Sequence, residues 1–326
     1  MKVLITGAAG FLGSHLVDAY LARGARVYGI DNFITGRNEN LESARNQHFT
    51  LLAADLAKDQ ADIESWVAQH VKAIDLILHF ASPASPKDYG AFPLESLAVN
   101  SAGTDLCCRL AEKYCSRMVY ASTSEIYGDP LEHPQNERYR GNVNSTGARS
   151  CYDEAKRFGE ALVSAYGRVQ GVDTRIARIF NTYGPRMREN DGRVIPNFIA
   201  DAVAGRPFAL FGSGLQTRSF CYVDDQVEAI MRLAECDEAR GTAVNLGNPN
   251  EISMVGLAGL VARAAGVDFH TVVADATPDD PARRCPDIAL ARKLLGWEPK
   301  IALEEGLRRI LSDRVTHPAK AHLRSP

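Results

Sequence analysis

Between an apolar run at Val3-Leu4-Ile5 and a helical pattern over residues 11–23 stand the glycines Gly7, Gly10 and Gly13. A strand must become a helix within a few residues there, and glycine lets the backbone turn tightly and approach whatever lies above it. The helix N-terminus behind such a turn presents unpaired amides to an anion. By itself the triplet is weak evidence, because glycine-rich turns are common. Its surroundings add more. Apolar runs at Val27-Tyr28-Gly29-Ile30, Phe49-Thr50-Leu51-Leu52, Leu76-Ile77-Leu78-His79, Met118-Val119-Tyr120-Ala121 and Thr174-Arg175-Ile176-Ala177 follow, with helical patterns near 93–115 and 152–170 between them. Continuous apolar strands separated by amphipathic helices predict a parallel sheet covered on both faces.

The expected architecture is therefore α/β: a Rossmann-type doubly wound parallel sheet over residues 1–180 with a smaller C-terminal substrate-binding lobe. The lobe takes 181–219, which is turn-rich and arginine-bearing, and 248–312, which reads as helical to about Leu311. Residues 220–247 read strand, helix, strand and are expected to return to the first domain. Residues 313–326 show no periodicity and read as a loose tail. A chain of 326 residues is long enough for one large unit with an appended lobe. The net charge of −3 supplies no field for nucleic acid. The 7 cysteines form no C-x-x-C pair, which suits reduced thiols in a cytoplasm better than disulfides or zinc. The histidines lack ligand spacing, so no metal is expected. No apolar run of about 18 residues suggests a membrane span, and the chain opens directly into a strand, so a soluble cytoplasmic protein is expected.

Gly7, Gly10, Phe11, Leu12 and Gly13 form the candidate pyrophosphate cradle. Asp31 stands 18 positions after Gly13, at the end of the second strand, with Asn32 beside it. A carboxylate there can bond both ribose hydroxyls of adenosine, and it favours NAD because it repels the extra phosphate of NADP. Arg37, nearby, works in the opposite direction. Asp55 and Leu56 follow the third strand and fall beside the adenine, although Asp55 reads equally as a helix N-cap. Ala81 and Ser82 follow the fourth strand, beside the rest of the cofactor.

Tyr152 and Lys156 lie four residues apart on a predicted helix, which puts phenol and ammonium on one face. A phenol with a pKa near 10 is a poor base, but a neighbouring ammonium and a positively charged nicotinamide both favour the phenolate. Without the glycine loop upstream, the same pair would read as solvated. Ser122-Thr123-Ser124-Glu125 follows the strand 118–121 at the carboxyl edge, where ligands bind in such sheets. Thr123 or Ser124 reads alternatively as the cap of a short helix.

With these spacings go DNFITGR at 31–37, HFASPASP at 79–86, ASTSEIYGDP at 121–130, ARSCYDEAKR at 148–157, RIFNTYGPRM at 178–187, NDGRV at 190–194, FGSGLQTRSF at 211–220, VNLGNP at 244–249 and LGWEP at 295–299. Over nearly the whole chain these resemble the extended short-chain dehydrogenase/reductase family of nucleotide-sugar enzymes. Ser-Pro-Ala-Ser-Pro at 82–86 and Ser-Cys-Tyr-Asp-Glu at 150–154 look most like its UDP-glucuronate decarboxylases. In that family 4,6-dehydratases usually read Thr-Asp-Glu where this chain has Thr123-Ser124-Glu125, and 4-epimerases usually lack the carboxylate.

The resemblance implies NAD-dependent, redox-neutral decarboxylation of UDP-glucuronate to UDP-xylose through a transient 4-keto sugar. It makes Tyr152 the base beside Lys156 and puts Thr123 on the carbon-4 oxygen. Ser124, Glu125 and Arg284 then orient the carboxylate and manage the proton. Cys285 stands where relatives often carry lysine, and Arg283 is the alternative to Arg284. Asn181, Arg193 and Arg218 match the family's diphosphate contacts, and arginine's planar fork suits phosphate, although each arginine alone reads as a surface residue. Tyr89 is a candidate for the sugar or simply packs. The resemblance also implies a homodimer through the helices near 93–115 and 152–170, whose apolar stripes by themselves indicate core. Competing readings are a nucleotide-sugar 4-epimerase or 4,6-dehydratase and a catalytically silent NAD-binding regulator.

Overall fold

A computed structural model describes residues 1–44, 48–274 and 283–316, with side chains as far as Ser312. Its centre is a 7-stranded sheet. The first six strands are β1 (Lys2–Thr6), β2 (Arg26–Asp31), β3 (Phe49–Ala53), β4 (Leu76–His79), β5 (Arg117–Thr123) and β6 (Asp173–Ile179). Their order across the sheet is β3-β2-β1-β4-β5-β6, and the strand Ala243–Leu246 is added beside β6. Every pairing is parallel. Successive side chains of a strand point to opposite faces. Val3 and Ile5 accordingly pack into one apolar core and Leu4 into the other. On the first side the covering helices are α1 (Phe11–Ala22) and the helix Val223–Glu235; on the second lie Thr104–Lys113 and Ser150–Val169.

The chain order reverses between β1 and β4, which leaves a crevice at the carboxyl ends of these neighbours. The loops that follow β1, β4, β5 and β6 all open onto it.

Beyond β6 the segment expected to be mostly turns contains the helix Val194–Val203. Thr217–Ser219 sits between Glu251–Ser253 and Arg283–Arg284 in a 3-stranded sheet. In that sheet Arg218 is the register partner of Arg284. Two other expectations change. The helical pattern near 93–115 is interrupted: Pro93–Ala98 leads into a π-helical turn at Val99–Gly103 before Thr104–Lys113 resumes. The last helix, Leu303–Thr316, continues past Leu311 into the segment read as a tail, and residues 317–326 lie outside the described residues. No described helix is long and apolar enough to cross a membrane.

Candidate active site

A cavity of about 810 Å³ runs along the carboxyl edge from the glycine loop to the small sheet. At Gly7, where φ is +71°, a Cβ would lie 2.8 Å from the Ala81 backbone, and at Gly13 it would lie 1.9 Å from the Gly7 carbonyl oxygen. Only glycine permits strand, loop and helix to close together in this way. No side chain caps α1 behind Gly10, so the first-turn amides remain available to an anion. Gly7, Gly10, Phe11, Leu12, Gly13 and Ser82 line the cavity; Asp31, Asn32, Asp55, Leu56 and Ala81 lie off its wall.

Asp31 is buried directly behind the loop. Its Oδ2 accepts the Ala9 amide and its Oδ1 the Phe33 amide, both at 2.8 Å. Burial pushes this carboxyl up while the two amides pull it back. A carboxylate offers about four acceptor positions, so capacity for a ribose remains. Asp55 takes the capping role in altered form. Its Oδ1 accepts the amides of Ala57 and Lys58 and its Oδ2 that of the Asn32 side chain, whereas the helix Gln60–Trp66 begins behind Asp59. Leu56 is core. Arg37 donates to the Arg186 carbonyl at 3.2 Å.

The loop after β4 is held from below by a buried chain of polar groups. Thr6 Oγ1 accepts the amides of Phe80 and Ala81, so its own proton goes to His79 Nδ1 at 2.8 Å. His79 Nε2 must then carry the hydrogen donated to Thr104 Oγ1 at 3.0 Å. Burial, with the Lys156 charge, pushes the imidazole down to about 3 and keeps it neutral.

Tyr152 and Lys156 project from the helix Ser150–Val169 beneath β5, and both are buried. The Lys156 ammonium donates to the Ala121 carbonyl at 2.8 Å and lies 5.8 Å from the Tyr152 ring centroid. Burial pushes this ammonium down to about 7. Burial and the Glu125 charge push the Tyr152 phenol up, against a hydrogen bond with Thr123 and the charge of Arg193. Within the protein alone, then, the phenol holds its proton; Lys156 does not outweigh desolvation.

Of the polar cluster after β5, Ser122 donates to Glu160 at 2.5 Å. Thr123 caps the short helix Ser124–Tyr127 by accepting the Glu125 amide, as well as bonding the Tyr152 phenol. The capping reading of Thr123 is thus observed, and the residue also lines the cavity. Ser124 is buried on the cavity wall. Glu125 is clamped: Arg284 Nη1 bonds Oε1, and Arg149 Nη2 bonds Oε2 at 2.5 Å. Burial alone would raise this carboxyl, but the two guanidiniums hold it down at about 2. Arg283 is exposed, so Arg284 is the arginine that reaches the site. Its Nε and Nη2 are buried and have no hydrogen-bond partner.

Tyr89 stacks on Tyr152 with ring centroids 4.9 Å apart at 10°, and its hydroxyl is buried without a partner. It both packs and offers a polar group. Asn181, Arg193 and Arg218 line the cavity. Arg193 pairs with Asp191 at 3.2 Å, while Arg218 is 7% exposed.

The sequence reading missed Arg149, which belongs to no spacing pattern, and Asp153. Burial and the Glu125 charge push Asp153 up to about 7, and its Oδ1 has no partner. Its signal was present: Tyr152, Asp153, Lys156, Gly159 and Val163 recur at helical spacing on the buried face. Asn100, in the π-helical turn, was also missed. It donates to Ser82 Oγ at 2.9 Å and accepts from the Tyr120 hydroxyl at 3.0 Å.

The chain is 47% identical over 314 residues to UDP-glucuronic acid decarboxylase 1 of Arabidopsis thaliana, covering 96% of this chain and 69% of that one. Among solved structures, UDP-glucose 4-epimerase from Thermotoga maritima superposes with a TM-score of 0.89 at 28% identity, covering 97% of this chain and 99% of that one. UDP-glucuronic acid 4-epimerase from Bacillus cereus, solved with UDP-glucuronic acid and NAD, gives a TM-score of 0.84 at 26% identity over 96% and 98% of the two chains. With residues 3–247 matching it, the chain belongs to the NAD dependent epimerase/dehydratase family.

Proposed function

We propose that the protein is a UDP-glucuronate decarboxylase that converts UDP-glucuronate to UDP-xylose through a transient 4-keto sugar, with no net oxidation. The observation that carries this is Arg284. A buried guanidinium with one nitrogen on Glu125 and two others unpaired lies at the end of the cavity that holds Tyr152. Buried donors left without acceptors cost about 1–3 kcal/mol each. A carboxylate on the sugar supplies the missing acceptors in a planar, two-bond geometry. The 47% identity to a UDP-glucuronic acid decarboxylase supports the same reading.

The glycine cradle and the uncapped helix fit NAD. Gly7, Gly10, Phe11, Leu12 and Gly13 would hold its pyrophosphate and Asp31 its adenosine ribose, with Asn32, Asp55, Leu56, Ala81 and Ser82 around them. Bound there, NAD supplies a reversible two-electron oxidation at carbon 4. Tyr152 takes the proton of the carbon-4 hydroxyl and later returns it; Thr123 bonds that oxygen, and Lys156 lies beside the phenol, anchored on the Ala121 carbonyl. The ketone is then beta to the carboxylate, and carbon dioxide leaves with its bonding electrons delocalised into the carbonyl. Arg284 orients the carboxylate before that step. Glu125, ionised and therefore only an acceptor, serves with Ser124 to orient the donor that protonates carbon 5. Asn181, Arg193 and Arg218 take the nucleotide diphosphate, and Tyr89 takes the sugar.

Leu94, Leu97 and Phe158 leave apolar side chains exposed on the adjoining helices Pro93–Ala98 and Ser150–Val169, and this is the surface for a homodimer. The cysteines are free thiols, in keeping with a cytoplasmic protein. The test is incubation with UDP-glucuronate, followed by mass and stereochemistry of the product. Loss of one carbon dioxide is expected. Unchanged mass with inverted carbon 4 makes the protein an epimerase, and no turnover of any nucleotide sugar leaves a binding protein.

A further inference from the structure

Arg149 lies in the run ARSCYDEAKR at 148–157 without having been assigned a role there, yet three parts of the site meet on it. Its Nη2 bonds Glu125 Oε2 at 2.5 Å, opposite the bond from Arg284. Its backbone carbonyl accepts the amides of Tyr152 and Asp153 at 3.0 and 3.1 Å, so the first turn of the helix bearing Tyr152 hangs from this residue. Its guanidinium carbon lies 6.0 Å from the centroid of the Tyr89 ring, and that ring is stacked on Tyr152. The side chain is 14% exposed and lines the cavity. A buried, paired ion cluster adds little net stability over a well-packed apolar one, so its value lies in what it orients.

We propose that Arg149 is a positioning residue for the reaction: it holds the Glu125 carboxylate and, through Tyr89, the Tyr152 phenol in fixed relation to one another around the sugar. This rests on the decarboxylase reading. Without Arg149, Glu125 keeps a single partner and turns about its terminal bond, while Tyr89 loses the cation over its face. Lysine would retain the charge but neither the planar fork nor the stacking surface.

The experiment compares wild type, Arg149→Met and Arg149→Lys in carbon dioxide release from UDP-glucuronate, with melting temperature and NAD binding measured on the same samples. In Arg149→Met, kcat should fall about 100-fold while KM changes far less, the pattern of lost alignment rather than lost binding. Arg149→Lys should recover part of that loss. The pH profile separates positioning from general support. Arg149, Arg284, Tyr89, Tyr152 and Asp153 are the charged and titratable groups around Glu125. Removing one cation raises the pH at which Glu125 takes up a proton. The acid limb of kcat should therefore move upward by about one pH unit in Arg149→Met, stay in place in Arg149→Lys, and move equally in an Asp153→Asn background. A folded Arg149→Met enzyme with kcat within about twofold of wild type overturns the proposal. So does an equal loss in both variants with the acid limb unmoved. If the wild type itself releases no carbon dioxide, the decarboxylase reading is what fails.

Discussion

Replacing Gly159 with alanine adds one methyl group to the buried face of the helix Ser150–Val169. That carbon would lie 2.0 Å from the Tyr120 hydroxyl oxygen and 2.4 Å from the ring carbon bearing it. Tyr120 cannot swing aside easily. It is fully buried, it donates to Asn100 at 3.0 Å, the Lys156 ammonium sits 5.1 Å from its centroid and the His79 ring is 5.7 Å away. Either the hydrogen bond breaks, leaving a buried Asn100 oxygen unsatisfied at about 1–3 kcal/mol, or the helix is pushed outward at a similar overpacking cost. The better helix propensity of alanine offsets about 1 kcal/mol. The net expectation is a loss of about 1 kcal/mol, read from urea unfolding followed by circular dichroism. Turnover should fall as well, because Tyr152 and Lys156 ride on the same helix. On an exposed helix face the same change would stabilise, so the sign decides. An equal or higher midpoint with an unchanged slope would refute the close packing of Gly159 on Tyr120.

Tyr152→Phe retains the ring stacked on Tyr89 but removes the proton carrier; NAD titration should be unaltered while carbon dioxide release falls about 10²–10⁴-fold, and full activity would remove the phenol from its role. Asp153→Asn tests the raised carboxyl. A group held at about 7 when folded, against its ordinary value of 3.8, resists ionisation, so stability is greatest below 3.8 and falls as pH rises through 7. The asparagine variant should therefore gain on the order of 3 kcal/mol over wild type at pH 8 and little at pH 4, and a pH-independent difference would contradict this. Phe158→Glu should convert a dimer to a monomer in sedimentation at micromolar concentration; a wild-type monomer would end the proposed interface.

What was legible in the sequence depended on how local its cause is. The strand and helix order, the glycine turn and the position of Asp31 follow from periodicity and from backbone freedom at Gly7 and Gly13. The π-helical turn at Val99–Gly103 was not legible, because it answers to groups far away in sequence: Asn100 bonds Ser82 and Tyr120, and the helix takes an extra residue into its turn around that pair. Arg149 was hidden for the same reason, since only the fold brings it opposite Arg284, 135 positions later, onto one carboxylate. For Tyr152 the sequence supplied the partner but not the balance of energies. Spacing places Lys156 beside the phenol, whereas burial of both groups decides which holds the proton.

That balance bears on which sugar the cavity accepts. Its lining carries the guanidiniums of Arg149, Arg193, Arg218 and Arg284 together with the carboxylates of Glu125 and Asp191, and beside it burial and the Glu125 charge push the Asp153 carboxyl up to about 7. A nucleotide diphosphate answers part of this positive surplus. A neutral hexose would leave the unpaired nitrogens of Arg284 without acceptors, whereas a uronic acid fills them. Discrimination then arises as much from the cost of leaving buried donors unmet as from the attraction of the right ligand. On this argument Arg284, which with Arg149 keeps Glu125 ionised, also makes the carboxylate a condition of productive binding, so selection of the substrate and preparation for losing carbon dioxide are one arrangement of charge.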